Sequence, residues 1–321
     1  RNTIVIALTG GAVTILALYY CRSLSALLVM SAVHGFIAQM FGPAANALLS
    51  DVIPEEKRVV AFAIFRLALN AGFAAGPAVA GLLYTRAPAL IFWGDALTTL
   101  VFAGLALAFL PHGLSTVQGR VTSAKVAWAS WGEATRDLRL NGPFLQLLGA
   151  KLLMAIAFVQ VYNVLAIDAS ARGIEPYHYG IIMGFNGALI MILELPLVQW
   201  IKRYEPKRVL VVGFGTIGLG CAGFAWADSI PDFLGAMAIF TLGEMIALPV
   251  SAGYSARLAP VAYRGRYFGY FSFAWGIAGL AGSAGVWGYS RMGENWWILA
   301  GGFGLLAGGL MVFTFTDRRP R

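Results

Sequence analysis

The amino-acid sequence predicts an all-α integral membrane protein built from two related halves. The chain of 321 residues is 59% hydrophobic and only 12% charged, and it repeats itself at an offset of 206 residues. A soluble domain has about twice that charged fraction. Because about 20 apolar residues cross a bilayer as a helix, ten runs qualify as spans. They lie near residues 3–20, 24–49, 59–84, 88–110, 144–167, 177–200, 209–227, 232–256, 266–290 and 296–315.

The repeat joins an apolar span, a short basic loop and a second glycine-rich span in each half. The matching pairs are Pro43 with Pro249, Pro54 with Pro260, Arg58 with Arg264, Phe62 with Phe268, Phe65 with Phe271 and Gly76 with Gly282. Halves related in this way are typical of secondary transporters, whose substrate path lies between them. The spans near 144–167 and 177–200 have no counterpart in the first half, so we expect two further helices before residue 1.

The order of the spans predicts three segments. Residues 1–110 form an incomplete N-terminal bundle, residues 111–143 a cytoplasmic linker, and residues 144–321 a C-terminal bundle of six helices. Within the linker, Ala124–Leu140 has the pattern of an amphipathic helix on the membrane surface. A partly ordered linker is the alternative at this stage.

The positive charges are distributed unevenly between the two faces of the membrane. If the loops are assigned to alternate sides, one side holds 17 of the 23 lysines and arginines and the other holds four. Basic loops remain cytoplasmic, so both ends of this chain are expected in the cytoplasm. The net charge of +8 is therefore a topology signal, and the predicted partners are the lipid bilayer and a small molecule, with no nucleic acid.

No residue pattern indicates a cofactor, a metal or catalysis. Cys21 and Cys221 have neither disulfide nor metal-site spacing. Gly213, Gly215 and Gly218 spell a dinucleotide-binding fingerprint, which needs a preceding strand and an exposed helix start. Here the glycines lie inside an apolar span, where they are expected to allow close helix packing. We therefore expect no enzyme and no bound cofactor.

Three motifs resemble those of the major facilitator superfamily. The segment with Gly72, Gly76, Pro77 and Gly81 resembles the antiporter motif of the family's fifth helix, where small residues let a neighbouring helix approach and proline bends the rod. Two loop signatures accompany it. They are the loop with Asp51 and Arg58, similar to that between helices four and five, and the loop with Lys202, Arg203 and Arg208, similar to that between helices eight and nine.

The resemblance places the chain between helices three and twelve of a two-bundle, twelve-helix transporter. It implies proton-coupled export of small amphipathic compounds by alternating access, in the inner membrane and as a monomer. Uptake of a metabolite by symport or facilitated diffusion is a second reading. A third, of another class, is a non-transporting membrane remnant or scaffold.

Charged residues inside the spans are the first functional candidates, because a central charge costs about 2.5–3.5 kcal/mol to insert. Glu244 lies near the middle of its span and could exchange a proton with either side of the membrane. A buried acid satisfied by a neighbouring hydroxyl or base is the alternative. Glu194 could also carry protons, or form a structural pair with Lys151 or Arg66.

Further polar residues could line a substrate cavity. Arg66 and Asn70 stand one turn apart on one helix face. Single polar residues in membrane helices bond another helix more often than a substrate, so each remaining candidate is weak by itself. These candidates are Gln39, Asn46, Gln160, Tyr162, Asn163 and Asn186.

Overall fold

The computed structural model describes residues 1–84, 89–111, 124–313 and 315. The regular elements of this part of the chain are α-helices joined in places by short 3-10 turns. The helices before residue 124 are α1 (Asn2–Tyr20), α2 (Leu24–Ala38), α3 (Phe41–Val52), α4 (Arg58–Tyr84) and α5 (Ala89–Phe109). Those that follow are α6 (Ala124–Leu140), α7 (Gly142–Asn163), α8 (Leu165–Ala171), α9 (Pro176–Ile201), α10 (Pro206–Gly223), α11 (Ile230–Leu258), α12 (Arg264–Met292) and α13 (Asn295–Val312).

Each of the ten predicted spans is helical, and eight helical stretches of the described residues are long and apolar enough to cross a membrane. The two other predicted spans are α4 and α12, with 27 and 29 residues. These two helices are counterparts in the repeat. Each begins with an arginine, Arg58 or Arg264, and carries at least one more, which lowers its apolar character.

The span predicted at 24–49 is divided into two helices. The regular helix is interrupted by a turn at Gln39 and Met40, between α2 and α3, although both residues keep right-handed helical dihedral angles. Pro43 explains the break, since its ring clashes with the carbonyl four residues earlier and it has no N–H to donate. Its counterpart Pro249 lies inside the continuous helix α11, so the same residue type has different effects in the two halves.

The helices pack in two sets that meet along α3 and α4. In the first set α1 lies against α5 and α2, and in the second α10 lies against α11 and α13 while α7 lies against α12 and α13. Between the sets, α4 contacts α9 and α11, and α3 contacts α12. The assignment of residues 1–110 and 144–321 to separate bundles remains a prediction.

Glycines permit the closest helix contacts of the second set. A Cβ atom at Gly218 would stand 2.6 Å from the carbonyl oxygen of Gly301, and one at Gly220 would stand 2.3 Å from the backbone nitrogen of Phe240. No side chain fits at these two positions. The fingerprint-like glycines therefore lie within a helix, α10, and the packing role expected for Gly213 and Gly218 is confirmed.

The antiporter-like motif lies on α4, which continues through Pro77 to Tyr84. A Cβ at Gly72 would meet no atom of the described structure within 4 Å. The close packing expected at Gly72 is therefore absent from the described part of the chain. The packing around Gly76, Pro77 and Gly81 lies outside what the structure describes.

The linker contains the helix predicted for Ala124–Leu140, now α6, and its described side chains pack on α12. The ring of Trp131 meets that of Tyr270 edge to face at 5.4 Å, and Thr135 shares a hydrogen bond of 2.6 Å with the Tyr270 hydroxyl. Tyr267 donates to Asp137. The alternative of a partly ordered linker does not hold for this segment, while its place on the membrane surface remains a prediction.

Candidate functional site

A guanidinium and two carboxylates form a buried ion-pair network where α4 meets α9 and α11. Arg66 donates from Nε to Oε1 of Glu194 at 2.7 Å and from a terminal nitrogen to Oε1 of Glu244 at 2.8 Å. Its other terminal nitrogen lies 2.5 Å from the same Glu194 oxygen. The Arg66 side chain is 12% exposed, that of Glu194 0% and that of Glu244 4%. We call Arg66, Glu194 and Glu244 the charge network.

Each member of the charge network comes from a different helix. Arg66 lies two turns after the start of α4, Glu194 lies two residues before Pro196 in α9, and Glu244 occupies the middle of α11. α4 belongs to the first set of helices and the two acids to the second. The ion pairs therefore connect the two halves, and a movement of one half against the other would change them.

Polar groups contact the Glu244 carboxylate through the oxygen that does not face Arg66. Asn186 of α9 donates from Nδ2 to Glu244 Oε2 and to the Thr241 hydroxyl oxygen, at 2.9 Å each. The Thr241 hydroxyl in turn donates to the carbonyl of Met237 at 2.7 Å. Both oxygens of Glu244 thus accept a hydrogen bond. Buried polar groups require such partners, so the hydrogen-bonding needs of this carboxylate are met in this conformation.

The carboxylate of Glu194 has fewer hydrogen-bond partners than that of Glu244. Its Oε1 receives Arg66, but its buried Oε2 has no hydrogen-bond partner within the described part of the chain. The amide nitrogen of Asn70, one turn beyond Arg66, is also buried without such a partner there. An unmet carboxylate oxygen away from water is costly. A proton on Glu194 would reduce that cost by neutralising the group.

The charge network has one cation for two acids. It carries one negative charge when both carboxyls are ionised and none when one of them holds a proton. Two carboxyls that share a site in a low-dielectric surrounding rarely ionise together, unless cations compensate them fully. The net charge of the network therefore depends on whether one of its two acids holds a proton.

Lys151 on α7 is a second buried cation, with 2% of its surface exposed. Its ammonium nitrogen lies 4.8 Å from the ring centre of Phe271 and 4.6 Å from that of Trp275, both on α12. Among the described residues no carboxylate lies within ion-pair distance of it. Lys151 and Arg66 are alternative partners of Glu194 by sequence, and the structure pairs Glu194 with Arg66.

Aromatic rings continue from Lys151 along α7 and α11. The ring of Phe158 lies 5.1 Å from Trp275, 5.0 Å from Phe240 and 5.4 Å from Tyr162. Tyr162 is 39% exposed, so this predicted cavity residue forms the open end of an aromatic row. Phe158, Tyr162, Phe240, Phe271 and Trp275 are called the aromatic row below.

Two further cavity candidates make helix contacts instead. Gln160 donates to the carbonyls of Ile156 and Ala281, and Asn163 donates to the carbonyl of Val159. Both amides fill the space beside glycines of α12, at Gly285 and Gly282. The structure does not bring either residue to the charge network. Asn186 is the amide among the candidates that reaches it.

Gln39 lies in a different place from the charge network. It lines a cavity of about 650 Å³ formed by α2, α3, α6 and α12, together with Arg1, Asp51 and Trp131. Asn46 lies on α3, half-buried. By sequence, these residues are candidates for one cavity. The structure places Gln39 in this cavity and Asn186 at the charge network.

The loop signatures contain one contact between the halves. Asp51, at the end of α3, forms a buried ion pair with Arg264 at the start of α12. Arg58 donates to the carbonyl of Ile53 at 3.2 Å within its own loop. In the second loop, Lys202 donates to Gln199 and Arg208 pairs with Glu205, both locally. Arg203 lies just after α9 and is exposed.

Sequence reasoning missed a buried acid at the opposite ends of the helices. Asp168 is fully buried and receives hydrogen bonds from Arg172 at 2.9 Å, Tyr289 at 2.6 Å and Trp297 at 2.9 Å. The spacing of Asp168 and Arg172, four residues apart, is the signal that could have found the pair. The tyrosine and the tryptophan come from α12 and α13, far away in the sequence.

A bundle of membrane-length helices with charges buried between two related halves defines a transporter. The sequence profile of the Major Facilitator Superfamily matches residues 1–283. The chain therefore belongs to this family of transporters.

Several curated relatives are similar over most of this chain. A Na(+), Li(+), K(+)/H(+) antiporter of Planococcus maritimus is 24% identical over 88% of this chain and 72% of its own length. The MFS-type transporter YhjO of Bacillus subtilis is 25% identical over 78% and 60%. The multidrug resistance protein MdtH of Edwardsiella ictaluri is 25% identical over 88% and 69%. The chain thus spans between 60 and 72% of the length of these relatives.

Solved structures share the fold. The human organic anion transporter MFSD10 superposes with a TM-score of 0.78 at 16% identity, over 96% of this chain and 76% of that protein. The transporter FucP in its outward conformation gives 0.73 at 12% identity, over 97% and 83%. The predicted all-α fold of a major facilitator is confirmed.

Proposed function

We propose that the protein is a proton-coupled exporter of small amphipathic compounds, which works by alternating access between its halves. The charge network carries this proposal, because it places a proton-accepting pair of acids and their one shared cation between the two sets of helices. The relatives named as a cation/proton antiporter and as a multidrug resistance protein support the direction and the breadth of transport.

In this conformation the proton is assigned to Glu194. Glu244 accepts hydrogen bonds on both oxygens, whereas Oε2 of Glu194 accepts none from the described residues. When α4 moves relative to α9 and α11, Arg66 leaves one or both acids and their charge is no longer compensated. The acids then bind or release the proton toward the side that is open, which couples the proton to the movement.

The proposal is tested by Glu244→Gln and Glu194→Gln in the full-length protein, reconstituted in proteoliposomes. Accumulation of ethidium, an aromatic cation, and of naphthoate, an aromatic anion, is measured with and without an imposed pH gradient. We expect both variants to lose gradient-driven accumulation while exchange without a gradient persists. Glu205→Gln is the matched control, since Glu205 pairs with Arg208 in a loop and should leave transport unchanged.

Unchanged gradient-driven accumulation in Glu244→Gln would refute the coupling role. Proton flow in the same direction as the probe would favour uptake by symport instead. Probe flux that does not respond to the gradient in the wild type would favour facilitated diffusion.

We further propose that the chain lies in the inner membrane as a monomer, with both of its ends in the cytoplasm. The excess of 17 basic residues against four on the other side supports this topology. Thiol labelling of intact cells tests it, with Lys125→Cys and Ser229→Cys each placed in a Cys21→Ser background. We expect position 125 to be protected and position 229 to react, and the reverse pattern would reject the topology.

A further inference from the structure

We propose that Lys151 binds an anionic group of the transported compound, so that the substrates are small aromatic anions. The inference rests on the proposed function, for which it names the substrate class. Lys151 is a buried ammonium that the described residues provide with neither an acid nor a hydrogen-bond acceptor. Buried lysines almost always have a partner. The rings of Phe271 and Trp275 face the ammonium but accept no conventional hydrogen bond, so a ligand could supply the missing acceptor.

The acids of the site are already engaged. Arg66 pairs with Glu194 and Glu244, and Asn186 occupies the remaining oxygen of Glu244. The remaining acceptor is Oε2 of Glu194, to which the proposed function assigns the proton. An organic cation would therefore find no free carboxylate in the described part of the site, and the ammonium of Lys151 would repel it.

The groups left without partners are mostly donors. The ammonium of Lys151 faces the rings of Phe271 and Trp275 and donates no hydrogen bond to a described residue. The buried amide nitrogen of Asn70 has no hydrogen-bond partner there either. A carboxylate or sulfonate supplies acceptor oxygens and a negative charge together, and charge-assisted hydrogen bonds are the strong ones.

The aromatic row determines the rest of the ligand. Phe271 and Trp275 flank the ammonium, and the row continues through Phe158 to the partly exposed Tyr162. Rings in such a row stack on a flat apolar body at distances of about 4.5–7 Å. The geometry thus favours an aromatic ring system that carries one acidic group.

Equilibrium binding to the full-length protein in phosphatidylcholine nanodiscs tests the inference, without any gradient. Three probes share one ring system and differ in charge: naphthoate, naphthylmethylammonium and neutral naphthylmethanol. We expect saturable naphthoate binding to the wild type and weaker binding of the other two. Lys151→Met should weaken naphthoate binding by about tenfold or more, and Lys151→Arg should largely preserve it.

Thermal unfolding of the same samples gives a second readout. Naphthoate should raise the melting temperature of the wild type but not that of Lys151→Met, because only a bound ligand stabilises the folded state. The inference is overturned if Lys151→Met binds naphthoate as tightly as the wild type, if the wild type prefers the cation, or if naphthoate does not bind saturably. These outcomes leave proton coupling untouched, since that is decided by Glu244→Gln under a gradient.

Discussion

Asp168 shows how a buried charge can be completely satisfied within a membrane protein. Its two carboxylate oxygens accept hydrogen bonds from three side chains, Arg172, Tyr289 and Trp297. Arg172 also donates to the backbone carbonyls of Phe224 and Ala227. Because the described groups of this cluster are paired with one another or with backbone carbonyls, none of their donors is left for a ligand. Its role is to join α8, α12 and α13 to the turn after α10.

Removal of the buried acid should therefore destabilise the protein. Asp168→Ala leaves Arg172 without its main partner and two ring donors unpaired, which costs about 3–5 kcal/mol for a buried ion pair. The apparent melting temperature of purified protein measures the effect. Asp228→Asn is the matched control, because Asp228 also pairs with Arg172 but is 88% exposed and should cost less than about 1 kcal/mol. Equal losses in the two variants would contradict this view.

The residues of the charge network could be nominated from the sequence, but their pairing could not. Arg66, Glu194 and Glu244 stand out because charges in apolar spans are rare. Whether Glu194 meets Arg66 or Lys151 depends on the rotation of three helices about their axes, and hydropathy contains no information on it. The same reason explains why Lys151 entered only as a partner and why Asp168 was missed.

The linker helix α6 is attached by three tyrosines to α12 and to the short turn that precedes it. Tyr263, Tyr267 and Tyr270 lie on successive turns, and their hydroxyls meet Glu133, Asp137 and Thr135. Asn141, which follows α6, caps α7 and donates to the carbonyl of Leu258. Through Asn141, the end of α6 is thus linked to the start of α7 and to the end of α11.

Weakening of this attachment should loosen α6 without unfolding the bundle. The double variant Tyr267→Phe with Tyr270→Phe removes two hydroxyls but retains the ring contact with Trp131. Hydrogen exchange followed by mass spectrometry should show faster exchange over residues 130–140, because local opening requires less free energy. Tyr204→Phe, in an exposed edge-to-face pair with Trp200, is the control. Exchange that is unchanged in the double variant would show that packing alone holds α6.

Element boundaries were predictable to the extent that hydropathy determines them. The amphipathic pattern of Ala124–Leu140 gave α6 with both its ends, and ten apolar runs gave ten helical spans. The break at Gln39 was not predicted, although Pro43 was visible. Its repeat partner Pro249 sits in a continuous helix, so proline by itself does not decide whether a membrane helix is interrupted, and neighbouring helices do.

At the scale of the whole molecule, the halves are joined by ion pairs at two levels. The charge network joins α4 to α9 and α11, and Asp51 joins the end of α3 to Arg264 at the start of α12. The side chains of Asp51 and Arg264 are 3% and 7% exposed. Under the proposed topology the second pair lies at the cytoplasmic ends of its helices, where we expect it to hold that side closed.

The loss of this pair should shift the protein toward a conformation open to the cytoplasm. Asp51→Asn leaves the buried cation of Arg264 without its acid, and water in an opened entrance relieves that cost. Gly265 lines the cavity beside Asp51 and has space for a side chain, so Gly265→Cys reports opening. In everted membrane vesicles, a membrane-impermeant thiol reagent should label this cysteine several-fold faster in the Asp51→Asn background.

Exchanging the charges of Asp51 and Arg264 tests whether faster labelling is caused by loss of the ion pair or by damage to the fold. Asp51→Arg combined with Arg264→Asp restores an ion pair in the opposite sense, and labelling at position 265 should slow again toward the wild-type rate. Asp51→Arg alone places two arginines together, and Arg264→Asp alone places two aspartates together. Labelling in these two single variants should therefore remain fast. Equal labelling rates in the wild type, the single variants and the exchanged pair would show that Asp51 and Arg264 do not control this entrance.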